Sequence, residues 1–306
     1  MQRQHRDFLS DFKSWKDKVN AKECLIFPEN IGSRLSLDEV ALSQGELYTV
    51  LTNKKAKGKK GAIVAIIQGV KSEVVIKHLL KIPRHLRHKV KEVTLDMASN
   101  MKLIVDHCFV KATQVIDRFH VQQLSLEALQ NIRINHRWEA IDEENDLIKK
   151  ARKSGRTYLS KEYDNGDTKK QLLARSRYLL YKSVDKWTES QQKRATILFQ
   201  EFPDIKKAYI LNQELRVIYN SSQIKSVAMT KLAHWYKKVE ESNFKQFNTV
   251  VNTISNNYNN ILNYFENRST NASAESFNAK IKAFRAQFRG VKNKEYFLFR
   301  LTNIYA

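Results

Sequence analysis

A chain of 306 residues with 42% hydrophobic and 10% aromatic content can bury a sizeable core, which excludes general disorder. Its 54 Lys+Arg against 32 Asp+Glu leave a formal charge of +22, a surplus that favours a polyanionic partner, nucleic acid above all. Two cysteines in separate segments exclude a disulfide framework or CxxC zinc ribbon, and the lack of long apolar runs or a signal-peptide core argues for a cytoplasmic protein with no membrane partner.

Residues 1–20 carry Phe8, Phe12, Trp15 and Val19 at helical spacing and read as a short amphipathic lead-in helix. Residues 24–32, with Pro28, read as a connector. The alternating run RLSLDEV, 34–40, predicts a strand with Asp38 near its middle, and ELYTVLT, 46–52, predicts a second. Between that strand and the next lies NKKAKGKKG, a tip holding Lys54, Lys55, Lys57, Lys59 and Lys60. The run AIVAIIQGV, 62–70, is almost wholly apolar and predicts a strand central in its sheet. A helix over 74–90, interrupted by Pro83, leads to a short buried strand, 92–95, that ends on Asp96. Met101, Ile104, Val105 and Cys108 mark a helix over 97–108, and the run 112–116 predicts another strand, ending on Asp117. Three strands, helix, strand, helix, strand is the succession of a ribonuclease-H-like α/β fold with a mixed sheet.

From 122 to 268 the pattern is helical. Helices are expected over 123–145, passing through Trp138, and over 171–183, with a polar stretch at 154–167 between them. A Thr188–Gln191 capping box opens a helix to Phe199, and Pro203 opens one to Tyr219. A further helix over 224–239 contains Trp235, and apolar positions from Phe244 to Phe265 predict one continuous long helix. Trp138, Trp187 and Trp235 read as core. After the polar break RSTN, 268–271, a last helix puts Phe277, Ile281, Phe284 and Phe288 on one face. Glu275, Asn278, Lys282, Arg285 and Arg289 share another. The expected division is 1–33 lead-in, 34–121 first part of the core, 122–268 a large all-helical insertion and 269–306 core completion.

Adjacent central strands would bring Asp38 and Asp96 together, and a helix packed on the sheet would supply Glu275. Such carboxylates repel strongly unless compensated. Two hard divalent cations, Mg²⁺ or Mn²⁺, would remove the conflict and suit phosphoryl transfer. Asp117 stands open as an alternative to Asp96, though strand order favours Asp96. His78, His85 and His88 read as a solvated face of a basic helix. The lysine tip is expected to touch the DNA backbone, with Lys280, Lys282, Arg285 and Arg289 gripping phosphates from the last helix.

The blocks VTLDM…VIDRFHV and NRSTNASAESFNAKIKAFRAQFRG resemble the DDE transposases of bacterial insertion sequences, most closely the ISL-three-like group and its ISAon type, across roughly residues 25–306. The resemblance implies a ribonuclease-H-like core with a helical insertion and a catalytic, metal-binding triad of Asp38, Asp96 and Glu275. It implies Mg²⁺-dependent cleavage and strand transfer of element ends into target DNA, by a homo-oligomer on DNA. Asp117 and His120 match an Asp-x-x-His signature that implies a structural or positioning element. Relatives usually carry an end-recognition module ahead of the core, whereas this chain begins essentially at the core. In the ISAon type that module resembles a separate upstream reading frame, so a helix-turn-helix partner is expected. Two rivals are a different ribonuclease-H-like nuclease, such as a junction resolvase, and a non-catalytic DNA-binding descendant of a transposase. The helical insertion and the NRSTNASAES block count against the first, and three intact acidic residues count against the second.

Overall fold

The computed structural model describes residues 2–42, 45–270, 272–287 and 293–306. The chain forms two compact units, one of residues 1–118 and 259–306, the other of residues 119–258.

The first unit is built on a six-stranded mixed sheet in the order β1-β4-β3-β2-β5-β6. Its strands are β1 (Cys24–Ile26), β2 (Arg34–Ala41), β3 (Leu47–Asn53), β4 (Ile63–Gln68), β5 (Glu92–Leu95) and β6 (Thr113–Ile116). β1, β4, β3 and β2 run antiparallel in turn, while β2, β5 and β6 are parallel. The connector expected at 24–32 is therefore wrong at its start: Cys24 and Leu25 are buried in an edge strand of three residues, too short to show a period.

Alternation along each strand sorts side chains to two faces. Leu35 and Leu37 of β2 and Val93 and Leu95 of β5 enter one apolar core with helices α2 (Ser72–Leu79) and α4 (Ser99–Cys108). All four helix positions anticipated there, Met101, Ile104, Val105 and Cys108, are buried. The opposite core joins Val40, Val50 and Ile66 to helices α13 (Ala272–Gln287) and α14 (Lys294–Tyr305). The lead-in helix is shorter than expected, since α1 (Gln2–Phe8) stops early and Val19 is exposed. Phe12 packs edge-on against Tyr296 and Phe299, and Trp15 against Phe299, with centroids 5.2 to 5.5 Å apart. Pairing with these aromatics outweighs the helical period. After α2 comes the single turn α3 (Arg84–Arg87), and His78 at the end of α2 is buried rather than solvated.

The second unit contains almost all of α5 (Arg118–Lys153), then α6 (Lys169–Arg175), α7 (Glu189–Glu201), α8 (Pro203–Ser221), α9 (Lys225–Ser242) and α10 (Lys245–Asn256). The Thr188–Gln191 capping box opens α7 as anticipated, with Gln191 N–H donating to Thr188 Oγ1 over 3.3 Å. Trp235 is buried and donates to Leu211 O, but Trp138 is 60% exposed, against expectation. The single long helix expected over 244–265 is broken into α10, α11 (Tyr258–Leu262) and α12 (Tyr264–Asn267). Asn257 and Asn263 mark the breaks. Asparagine bonds nearby backbone in competition with the helix, as Asn257 Nδ2 does to Thr253 O over 3.0 Å. No described helix is long and apolar enough to cross a membrane.

Candidate active site

β2 and β5 are parallel neighbours in a register that pairs Arg34 with Glu92 and Ser36 with Thr94. Each partner lies 58 positions on, and 58 positions also separate Asp38 from Asp96. Continued two residues past the last pair, that register sets the two aspartates level at the carboxyl edge of the sheet. The β5–β6 register, Leu95 with Ile116, likewise sets Asp117 level with Asp96. Three carboxylates thus end one row. They differ in access: Asp117 is 1% exposed, whereas Asp38 and Asp96 are half-buried and reach solvent.

Backbone amides fix both accessible aspartates. Glu39 N–H donates to Asp38 Oδ1 over 2.8 Å, and Met97 N–H to Asp96 Oδ1 over 2.5 Å. α13 packs on β2, and Asn278 Nδ2 donates to Asp38 Oδ2 over 2.6 Å. Glu275 stands three residues earlier, on the same helix face. It is half-buried, and its Oε1 is shut off from solvent. Phe277 and Ile281, buried against the sheet, fix the roll of the helix that carries both residues.

From sequence, Asn278 was placed on the polar face of its helix with Glu275 but given no role in the site. Its signal was available as a polar residue one turn after Glu275 on a helix whose neighbouring face is apolar. Glu92 was missed too, read only as one member of an alternating strand. It is 3% exposed, paired with Lys54 at 3.6 Å and Arg34 at 4.0 Å, and accepts hydrogen bonds from Ser269 Oγ and Asn267 Nδ2. These contacts anchor the chain just ahead of α13.

Lys54 therefore departs from the expected basic tip. Its ammonium turns inward, donating to Thr94 Oγ1 over 2.7 Å, and burial holds its pKa below the usual lysine value against the pull of Glu92 and Asp117. Lys55, Lys57, Lys59 and Lys60 remain exposed. Gly58, at φ 68°, lets the tip lie against α13: a Cβ there would meet Phe277 Cδ2 and Lys280 Nζ at 3.4 Å. Lys280 Nζ donates to Gly58 O over 3.3 Å, and Lys282 is exposed. Arg285 is half-buried with its guanidinium 5.1 Å from the Phe297 ring centre. Arg289 and Phe288 lie outside the described residues. His120 belongs to the second unit, in the first turns of α5, with its ring 5.8 Å from that of Phe119.

The donors at the carboxyl edge are oxygens, which suits a hard divalent cation. Among the described residues no three His, Cys, Asp or Glu side chains are gathered closely enough to hold a metal by themselves. A small, strongly hydrated cation does not need that, since one or two carboxylates plus substrate phosphates suffice. Asp38 and Asp96 fit that minimum.

A family model of DDE transposases of the ISL3 type, described as a transposase, matches residues 35–301. The transposase for insertion sequence element IS1001 of Bordetella parapertussis is 23% identical over 269 residues. That alignment takes in 87% of this chain, and the chain spans 59% of the length of that relative. No solved structure matches.

Proposed function

Because the chain belongs to the ISL3-type DDE transposases, we propose that it cleaves the ends of an insertion sequence and joins them to target DNA by metal-dependent phosphoryl transfer. The observation that carries this reading is the common register of Asp38 and Asp96, with α13 docked over them through Asn278. The row of strands, four antiparallel in turn and then two added in parallel by helical crossovers, supports a ribonuclease-H-like core with residues of the second unit as its insertion.

In this reading Asp38 and Asp96 hold the divalent cation, Mg²⁺ or Mn²⁺, and Glu275 completes the catalytic set. When bound, the cation activates the attacking water or 3′-hydroxyl and stabilises the leaving oxygen. The chain's own work is positional. Backbone amides at 39 and 97 aim the aspartates, and Asn278 fixes the rotamer of Asp38. The exposed lysines of the tip and Lys282 hold flanking phosphates electrostatically. Asp117, being buried, serves as a support for the edge rather than as a ligand. End recognition by a separate helix-turn-helix protein, assembly of copies on DNA, and action in the bacterial cytoplasm belong to the same proposal.

Incubating the purified chain with labelled element ends and either Mg²⁺ or Mn²⁺ tests it. Nicking at the element boundary that disappears with Asp96→Asn supports the reading. Cleavage that persists in Asp38→Asn and Asp96→Asn overturns it.

A further inference from the structure

In the second unit the end of α5 and the residues after it form an arm. The last buried residue of α5 is Ala140, so positions 141–153 run on for about 20 Å, at 1.5 Å per residue, without entering a core. Gly155, at φ 67°, then closes the helix: its N–H donates to Arg152 O over 3.1 Å, and Arg156 N–H donates to Ala151 O over 2.9 Å. The returning chain is tied back to α5. Tyr158 is half-buried in a crevice with Leu147, and Ser160 Oγ donates to Glu144 Oε1 over 3.1 Å. Leu159 stands between these two anchored residues and is 85% exposed, more than any other described leucine.

Charge is sorted along the same arm. Three acids nearer its base are paired within it: Asp146 with Lys149 at 3.2 Å, Glu143 with Lys169 at 2.7 Å, and Glu144 with Lys170. No acid stands between Asp146 and Glu162. Besides Lys149 that stretch holds Lys150, Arg152, Lys153, Arg156 and Lys161, all exposed and, among the described residues, without an ion pair. The negative end of the helix accounts for Lys150, Arg152 and Lys153. Arg156 and Lys161 lie past it, on either side of Leu159. A single exposed leucine is ordinary on a protein surface. One held outward in a frame of unpaired cations has the make-up of a minor-groove wedge, in which cations meet phosphates while an apolar side chain enters between base pairs.

We propose that this arm docks on duplex DNA, with its cations on backbone phosphates and Leu159 inserted between base pairs from the minor groove. This rests on DNA being the substrate, and adds a contact that deforms the DNA on a unit carrying none of the candidate catalytic carboxylates.

The test mixes the full chain with a short duplex labelled at both ends, so that energy transfer reports bending and anisotropy reports binding over a range of salt. Wild type should kink the duplex by about 20–90°. Leu159→Ala should bind with the same salt slope but leave the duplex straight. Leu9→Ala, at a leucine 74% exposed on the first unit, should bend it as wild type does. Lys150→Ala with Lys153→Ala and Arg156→Ala should flatten the slope of log affinity against log salt by about 0.9 for each phosphate lost. Lys77→Ala with Lys81→Ala and Lys89→Ala removes the same charge from exposed positions of the first unit and should flatten it less. None of these side chains is buried, so all the variants should melt like wild type. Equal bending by Leu159→Ala and wild type, or a straight duplex with wild type, overturns the wedge. Arm and control charge variants that bind alike overturn the docking surface. Vesicles of anionic lipid supply a further measurement: binding that depends on Lys150, Lys153 and Arg156 there but not on DNA would assign the arm to a membrane and overturn the proposal. Wild type that ignores DNA sinks both this inference and the function it rests on, whereas DNA that is bound and cleaved without bending sinks this one alone.

Discussion

Asn278 donates its amide hydrogen to Asp38 across 2.6 Å, while its own oxygen is buried with no donor among the described residues. The orientation follows from chemistry, because a carboxylate can only accept. One half of the amide stabilises the structure and the other half costs it. A hydrogen bond to a charged group contributes about 1.5–3 kcal/mol, and a buried acceptor left alone costs about 1–3 kcal/mol. Asn278→Ala removes both and should leave thermal stability within about 1 kcal/mol of wild type. Cleavage should nevertheless fall about 10–100-fold, the usual loss when a ligand's support is removed. A melting temperature that collapses along with activity would show Asn278 to be merely structural.

Asp96 and Asp117 share a row but differ in burial, so their amide variants should separate. Asp96→Asn should abolish cleavage with an unchanged melt. Asp117→Asn should lower the melting temperature, since its carboxylate is almost fully enclosed. If Asp96→Asn cleaves normally and Asp117→Asn melts like wild type without cleaving, the second catalytic aspartate is Asp117.

Lys54 and the four exposed lysines of the tip should also part company. Lys54→Ala leaves Glu92 buried without its nearest cation, a loss of about 3–5 kcal/mol when a buried pair is broken, lessened here by Arg34, Ser269 and Asn267. Replacing Lys55, Lys57, Lys59 and Lys60 together by alanine should leave the melt alone. It should weaken DNA binding and flatten its salt dependence by ~0.9 for every phosphate that the tip no longer holds. Chemical denaturation and anisotropy titrations on both variants decide the matter.

Phe277 is 1% exposed, meets Tyr305 edge-on at 5.0 Å and lies against Gly58. Phe277→Ala should cost about 3–5 kcal/mol. Phe284 is only half-buried, so Phe284→Ala should cost less. Equal losses in the two variants would mean that α13 does not seat on the sheet as described.

Cys108 is fully buried, and burial pushes its thiol up to about 11 from an ordinary value of 9.0. Above pH 9 the unfolded thiol ionises while the folded one keeps its proton, so the folded state binds more protons and loses stability as pH rises. The loss should run at about 1.4 kcal/mol per pH unit and level off above pH 11. Melts from pH 8.5 to 11 should show a shallower decline in Cys108→Ala. A thiol reagent at pH 8 should label Cys108 only after unfolding.

Much of this was legible from alternation and spacing. RLSLDEV read as a strand places Asp38 correctly on β2, and a short buried run ending on Asp96 is what β5 turned out to be. What escaped were features that depend on partners distant in sequence. A lysine run reads as uniformly solvated, yet Lys54 finds Glu92, 38 positions away, and turns inward. Phe12 and Trp15 fit a helical period, but their partners lie near the other end of the chain. The long helix failed for a local reason that was visible: asparagines at 256, 257, 259, 260 and 263 crowd the apolar stripe that suggested it.

The first unit is assembled from two stretches of chain separated by the whole of the second. During synthesis β6 leaves the ribosome well before α13, and the intervening residues 119–258 take about 7–28 s to make at 5–20 residues per second. Through that interval the sheet bears Asp38 and Asp96 without Glu275, Asn278 or the aromatic cover of α14. A chain released within that interval would leave the apolar face that α13 and α14 cover open to proteases. Under the proposed function, competence would come last, and a half-made chain would not yet cut DNA.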